Sequence, residues 1–347
     1  MKQARPIALG IAGLGRAGWD MFVRELEGRG QQFRVVAACD VLPQKRRLAA
    51  ERLSCATYAR FEDLVADENV ELVGVATRTV DHFRHAALAL AAGKHVHLEK
   101  PMTADYAQAR RLAAIARRSR GLLLVRHNSR YSPVYLRIRQ IIASGLLGEV
   151  FEIKMRRLGF SRRDDWQTLL ACGGGLMRNT GSHMVDQALQ LLDSPVKDIW
   201  CRLWRVAAIG DAEDHVRLML VGRNGRLVDI EHSGGAALGD PDWTVLGTRG
   251  GLVCSGPTIT LRYLDPRRKL KPRRVKHGSP GRHYGTPEDL HWVEKTLDVS
   301  SGGGRLDSIW DDVHAAIRLG RKYPITIEQA VEVMRVLTVA RRQTEFS

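Results

Sequence analysis

Cysteine is scarce in this chain, and its scatter already excludes several classes of protein. The five cysteines, Cys39, Cys55, Cys172, Cys201 and Cys254, are odd in number and widely spaced, with no Cys-x-x-Cys and no paired Cys/His spacing. Neither a disulfide framework nor a zinc site is expected, no metal ligand is assigned, and reduced thiols in a cytoplasm are the expectation. Long apolar runs are missing too: none approaches the ~20 residues that cross a bilayer. The opening "MKQARPIALGIAGLG" has basic residues before an apolar stretch, but it continues into Gly-x-Gly without a cleavage-like site and reads as a first strand. Acidic residues also fall short, 38 Asp and Glu against 54 Lys and Arg, for a formal charge of +16. Much of the excess sits in "DPRRKLKPRRVKHGSPGR", Asp265 to Arg282. Such a patch can attract nucleic acid, an anionic membrane or an acidic small molecule. This one lacks interleaved aromatics and a recognisable binding fold, so a solvated loop is expected first and an anionic small molecule second, with no membrane or nucleic-acid partner.

What is present points to a globular protein of two domains, since 347 residues exceed one ordinary core and 44% apolar content suffices for two. "PIALGIAGLGRAGW" is a short apolar strand running into Gly13-x-Gly15-x-x-Gly18, with Arg16 and Ala17 inside the turn, and "WDMFVREL" follows with a helical apolar pattern. Gly13 permits the tight turn, Gly15 the approach of a pyrophosphate to main-chain N–H groups, and Gly18 close packing of helix on strand. A second strand, "FRVVAACD", ends in Asp40, 22 positions past Gly18. A carboxylate there accepts hydrogen bonds from both adenosine ribose hydroxyls and repels a 2′-phosphate, so NAD is expected in preference to NADP, although Arg46 and Arg47 lie close enough to weaken the preference.

Strands and helices continue to alternate through "VELVGVA", "VDHFRHAALALAAG", "HVHLEK", "ADYAQARRLAAIARRS" and "GLLLVRHN". Short connections in this order predict an α/β fold with a doubly wound parallel sheet, whose ligands sit at the carboxyl ends of the strands. Thr77, Glu99, Lys100 and Asn128 fall at or just past such ends. The segments "VFEIKMRRLGF", "IWCRLWRVAAI", "HVRLMLVG", "GRLVDIEHS" and "WTVLGT" then carry the content of strands, and Thr326-x-x-Gln opens a final helix as a capping box. Trp200 and Trp204 share a strand face, in a core or a subunit interface.

Between the two halves lies "GGGLMRNTGSHMVDQ". Its glycines let backbone approach a ligand, and Asn179, His183 and Asp186 follow at i, i+4 and i+7, one face of a helix. Asp186 could orient His183, bind a hydroxyl, or pair with a neighbouring arginine. Just before it, "SRRDDWQTL" offers Arg163 and Trp166, an aromatic plane with hydrogen-bonding neighbours that suits a sugar ring or simply caps the following helix.

In combination, "GKHVHLEKPMT" with Glu99-Lys100-Pro101, "VATRTVDHFRHAALAL" with His82 five residues after Thr77, "HNSRYSP", and the glycine-rich stretch with His183-x-x-Asp186 resemble the glucose-fructose oxidoreductase, inositol dehydrogenase and MocA family, from Pro6 to about Arg342. The resemblance implies a Rossmann domain over 1–126 and a C-terminal α+β domain over 127–347, with an open mixed sheet that often makes homodimers or homotetramers and a last helix that packs back on the first domain. It implies that Gly13, Gly15, Arg16, Ala17, Gly18, Asp40, Thr77, His82, Glu99, Lys100 and Asn128 line the cofactor, that a cis bond at Pro101 fixes the direction of Lys100, and that Lys100 and His183 surround the reacting carbon. On free pKa values His183 is expected as acid/base and Lys100 as electrostatic anchor, with the roles open to exchange. Asn179 stands where many members carry Asp; it cannot exchange a proton but can hydrogen-bond a substrate hydroxyl, beside Asp186, Arg163 and Trp166. The implied function is an NAD-dependent oxidoreductase acting on a secondary hydroxyl of a sugar or cyclitol. Redox-assisted glycoside cleavage or epimerisation with retained NAD, and a non-catalytic sugar sensor, stay open beside it.

Overall fold

The computed structural model describes residues 5–275, 277–278, 288–300 and 304–346. The first sheet is built by β1 (Ile7–Ala12), β2 (Phe33–Cys39), β3 (Ala56–Tyr58), β4 (Leu72–Val75), β5 (His95–Leu98) and β6 (Leu123–Val125), all parallel, in the order β3-β2-β1-β4-β5-β6. Helices α1 (Pro43–Leu53), α2 (Phe61–Ala66), α3 (Thr79–Ala91) and α4 (Tyr106–Arg118) provide crossovers. Every residue of β1 and β4 is buried, as apolar strands covered on both faces require. Strand order reverses between β1 and β4, and this switch point is where such sheets open a crevice for a ligand.

The segment after the glycine turn departs from the expected α-helix: Ala17–Val23 is wound as a π-helix and Arg24–Leu26 as a 3-10 turn. Two side chains hold it there. Phe22, fully buried, packs edge-on against Trp310 at 5.3 Å between ring centres, and Glu25 accepts hydrogen bonds from Arg126 and from the Trp310 indole. Tertiary anchoring of this kind overrides local winding preference.

After α5 (Pro133–Ala143) comes the second sheet. It comprises β7 (Val150–Leu158), then, beyond α6 (Thr180–Leu192), β8 (Val196–Trp204), β9 (His215–Gly222), β10 (Leu227–Ser233), β11 (Trp243–Gly247), β12 (Gly250–Ser255), β13 (Thr258–Leu264) and β14 (Trp292–Asp298). The order is β14-β13-β12-β11-β7-β10-β9-β8, with β7 and β10 parallel and the remaining pairs antiparallel. One face is packed under helices; on the other, Trp200 and Trp204 are nearly half exposed, so neither belongs to the core. Two further helices, α7 (Ile309–Leu319) and α8 (Ile327–Arg342), return to the first half. The Trp310 side chain of α7 is fully buried against Phe22 and Phe33, and the Thr338 hydroxyl of α8 accepts from the Tyr106 amide. The capping box at Thr326 and Gln329 is formed in both directions. Of the basic segment, residues 276 and 279–282 lie outside the described residues; residues 266–275 are exposed, and Arg267 and Arg273 pair with Asp265 and Glu288.

Candidate active site

The glycine turn has the shape its spacing predicts. Gly13 has φ +89°, and a Cβ there would lie 2.6 Å from the Ala76 carbonyl oxygen; a Cβ on Gly18 would lie 1.8 Å from that of Gly13. A Cβ on Gly15 would meet nothing within 4 Å, so the turn is closed toward the protein and open outward at that residue. Arg16 is exposed and unpaired at this opening among the described residues. Asp40 stands alongside, its carboxylate accepting from the Leu14 amide at 2.8 Å and the Leu42 amide at 3.0 Å, with Lys45 3.9 Å away. Arg46 instead donates to the Asp40 and Val41 carbonyls. An open main-chain cradle beside an acid at the next strand end fits a dinucleotide.

Across the switch point, the loop after β5 carries Lys100, followed by a cis bond to Pro101. Its ammonium donates to the Asn179 main-chain oxygen at 3.1 Å and to Asn179 Oδ1 at 3.2 Å. Burial pushes the Lys100 pKa down to about 8, against the pull of Glu99, and the positive charges of Arg126, Arg16 and Arg157 add to the effect. Glu99 itself is turned inward: its carboxylate lies 3.2 Å from Arg126 Nε and accepts from the Lys100 amide. This buried carboxylate, held by a buried arginine, backs the loop that carries Lys100. His82 is also engaged within the protein. It is fully buried, with its ring nitrogens 2.8 Å from the Pro101 oxygen and 3.2 Å from the Thr77 oxygen, and so it ties two loops of the rim together. The Thr77 hydroxyl faces His85 at 3.0 Å, while the Asn128 amide has no hydrogen-bond partner among the described residues.

The second half brings His183 to the same place on the first turns of α6. Its ring stands edge-on to His127, 6.3 Å between centres, and its Nδ1 has no partner. Both ring nitrogens of the buried His127 are also unpartnered. Burial, then the charge of Lys100, holds His183 well below its ordinary pKa, so it is neutral at neutral pH. Asn179 sits at the helix N-cap without capping it; its amide nitrogen donates to Gln167 Oε1 at 2.9 Å. That oxygen also accepts from Arg163, whose guanidinium pairs with Asp165 at 2.7 Å. The chain Asp165–Arg163–Gln167–Asn179 therefore fixes the amide so that its oxygen faces Lys100.

Two further site residues are engaged within the protein. Of the roles open to Asp186 the structure shows the arginine pair: it is 1% exposed, accepts two hydrogen bonds from Arg130 at 2.6 and 2.7 Å, and makes none with His183. The i, i+4, i+7 face breaks because Asn179 lies outside the helix. Arg163 acts through Gln167 and is not a free cation. Trp166 is 37% exposed, with the Arg78 guanidinium 5.8 Å over its ring. Gln167, His127, Arg126, Arg130 and Arg157 were not singled out from the sequence. Gln167 lies inside "SRRDDWQTL", and His127 and Arg130 lie inside "HNSRYSP"; Arg126 and Arg157 have contacts set by distant parts of the chain.

A glycine cradle, a lysine at a strand end beside the switch point and a facing histidine from α6 define a dinucleotide-dependent oxidoreductase. Residues 7–127 match the model of an oxidoreductase family with an NAD-binding Rossmann fold, and residues 135–253 match the GFO/IDH/MocA C-terminal domain. The chain belongs to the Gfo/Idh/MocA family of NAD(P)-dependent oxidoreductases. It is 27% identical over 345 residues to the uncharacterized oxidoreductase YdgJ of Escherichia coli, covering 95% of this chain and 94% of that one. It is 26% identical over 290 residues to the scyllo-inositol 2-dehydrogenase (NADP+) IolW of Bacillus subtilis, covering 82% and 80%. A solved NAD-binding protein from Listeria innocua superposes with a TM-score of 0.84 at 24% identity, covering 99% and 98% of the chains, which shows the shared fold. Among the described residues no helix is long and apolar enough to cross a membrane.

Proposed function

We propose that this protein transfers hydride between a nicotinamide dinucleotide, NAD in preference to NADP, and a secondary hydroxyl or ketone of a sugar or cyclitol. The single observation that carries this reading is the meeting of Lys100 and Asn179, from opposite halves of the fold, with His183 and Arg16 of the glycine turn near enough for charge to act between each of them and Lys100. The dinucleotide would be held by the Gly13–Gly18 turn with Arg16 at its phosphates, Asp40 at the ribose and Thr77 and Asn128 along the rim; when bound, it supplies the two-electron acceptor or donor. The domains would divide near 126, between the two sheets, with the second half supplying the substrate floor.

In oxidation, the neutral Lys100 amine takes the hydroxyl proton while His183, neutral and with Nδ1 unpartnered, hydrogen-bonds the same oxygen. In reduction, the Lys100 ammonium returns the proton to the developing alkoxide. Lys100 is the better proton carrier of the two because an imidazolium beside an ammonium is disfavoured, whereas an amine with a pKa of about 8 can hold or release its proton near neutrality. Asn179 accepts from Lys100 without adding a second negative charge, so burial still dominates that pKa. The exposed sheet face with Trp200 and Trp204 would join subunits into a homo-oligomer, and sugars and cyclitols would be its partners in catalysis.

The test is a screen of aldoses, uronic acids and inositols with purified protein and each dinucleotide, following absorbance of the reduced nicotinamide. Substrate-dependent reduction of NAD, with kcat/KM greater than for NADP and inverted or levelled in Asp40→Ser, is the expected result. Failure of the protein to bind either dinucleotide would overturn the reading.

A further inference from the structure

Arg157 is the penultimate residue of β7 and lies directly across from His232 on β10. By the period of two it shares the face of Met155 and Ile153, which are buried beneath the helices. Helix α6 runs against these strands: Arg226 donates to the Leu191 oxygen at the end of the helix and to the Val150 oxygen at the start of β7. The His183 end of the helix therefore points toward the strand ends where Arg157 and His232 sit.

Arg157 is exposed, and its guanidinium makes no hydrogen bond or ion pair among the described residues. Other cations bearing on Lys100 and His183 are otherwise engaged or spoken for: Arg126 lies between Glu25 and Glu99, and Arg16 stands at the glycine turn. The carboxylates in the vicinity are spent as well, Glu99 on Arg126, Asp186 on Arg130 and Asp165 on Arg163. The charge of Arg157 is felt at both Lys100 and His183, opposing their protonated forms, with no protein anion to balance it. Beside it, His232 turns Nδ1 to the Arg157 carbonyl oxygen at 2.8 Å, so that nitrogen carries the proton. Its Nε2 is then a bare, buried acceptor without a partner, and the Nδ1 of His183 is unpartnered as well.

A guanidinium lacking an anion next to an imidazole acceptor lacking a donor describes one kind of ligand. We propose that Arg157 binds an anionic group of the substrate, so that the site selects a polyhydroxylated acid, a carboxylate or phosphate ester of a sugar or cyclitol, over the neutral polyol. The inference rests on the dehydrogenase reading above for the reacting end of the ligand; the anion site itself is independent of turnover. Arg157 is a substrate-binding residue in this scheme, and His232 receives a ligand hydroxyl.

Calorimetric titration of the full chain, with saturating reduced dinucleotide, tests it with two matched sets: glucose, glucuronate and glucose 6-phosphate; and myo-inositol with its 1-phosphate. An acid in at least one set is expected to bind about tenfold or more tightly than its neutral counterpart, as a charge-assisted bidentate contact provides. Arg157→Gln should abolish that preference, Arg157→Lys should restore part of it, and Lys269→Gln in the exposed basic segment should leave it intact. Carboxylate or phosphate is told apart by which acid responds. Equal or tighter binding of the neutral polyols, no binding of any acid, or a preference that survives in Arg157→Gln overturns the proposal. Turnover of the same compounds with NAD and NADP separates the two readings. An acid held through Arg157 but never oxidised leaves the anion site standing and removes the dehydrogenase, whereas a neutral polyol oxidised as well as its acid does the reverse.

Discussion

Lys100 combines two properties that rarely coincide on a lysine: it is largely enclosed by protein, and its ammonium donates only to neutral oxygens of Asn179. Its proton is correspondingly loose. The sign of the pH dependence follows, since oxidation uses the free amine and reduction the ammonium: kcat/KM for oxidation should rise with pH and level off above about 8, and that for reduction should fall above about 8. In Lys100→Met the inflection should vanish and turnover drop by ~10²–10⁴-fold, while quenching of protein fluorescence by the reduced dinucleotide persists. Asn179→Asp should restore a negative charge opposite the ammonium and move the inflection to higher pH, which rate profiles of the two proteins compare directly. At this scale the residue types were legible in the sequence, because Glu-Lys-Pro and the glycine-rich doorway advertise themselves. Their protonation was not. Free pKa values favour His183 as the base, and only its burial beside Lys100 and His127 makes it a poor proton acceptor.

At the scale of elements, α6 is the piece that carries His183 and Asn179 to Lys100, and its placement depends on a buried ion pair. Arg130 reaches Asp186 with two hydrogen bonds and Gln329 with a third, linking the turn after β6 to α6 and α8. Asp186→Asn would leave a buried guanidinium without a counter-charge and should cost ~3–5 kcal/mol of stability, measured by urea unfolding. An activity loss with unchanged stability would instead return Asp186 to the substrate. The element order was readable from hydrophobic period and punctuation: most strands and helices of the first sheet, and β7 to β11, lie where their runs predict. Three kinds of element were missed. β3 is only three residues long, β12 and β14 carry weak alternation while β13 alternates cleanly yet was not singled out, and the π-wound turn after Gly18 is imposed by contacts of Phe22 and Glu25 with residues nearly 300 positions away.

The whole molecule sets one sheet that cradles a dinucleotide against another whose floor carries Arg157 and His232, and the helices returning at the carboxyl end clamp the two. Its outer sheet face holds Trp200 and Trp204 nearly half exposed around a ladder in which Arg156 and Arg217 pair with Asp229 and Glu231. A double change, Trp200→Lys with Trp204→Lys, should convert the proposed oligomer to monomer in light scattering, with the fold retained by circular dichroism; an unchanged mass would place the subunit contact elsewhere. The convergence of the two halves is the claim on which the rest depends, and a crystal structure of the full chain with the reduced dinucleotide tests it most directly. The account predicts pyrophosphate on the main-chain amides of Gly13 to Gly18, and the nicotinamide ring lying against the Lys100 ammonium and the His183 imidazole. A nicotinamide ring bound away from both side chains, or a pyrophosphate that bypasses the glycine turn, would contradict it.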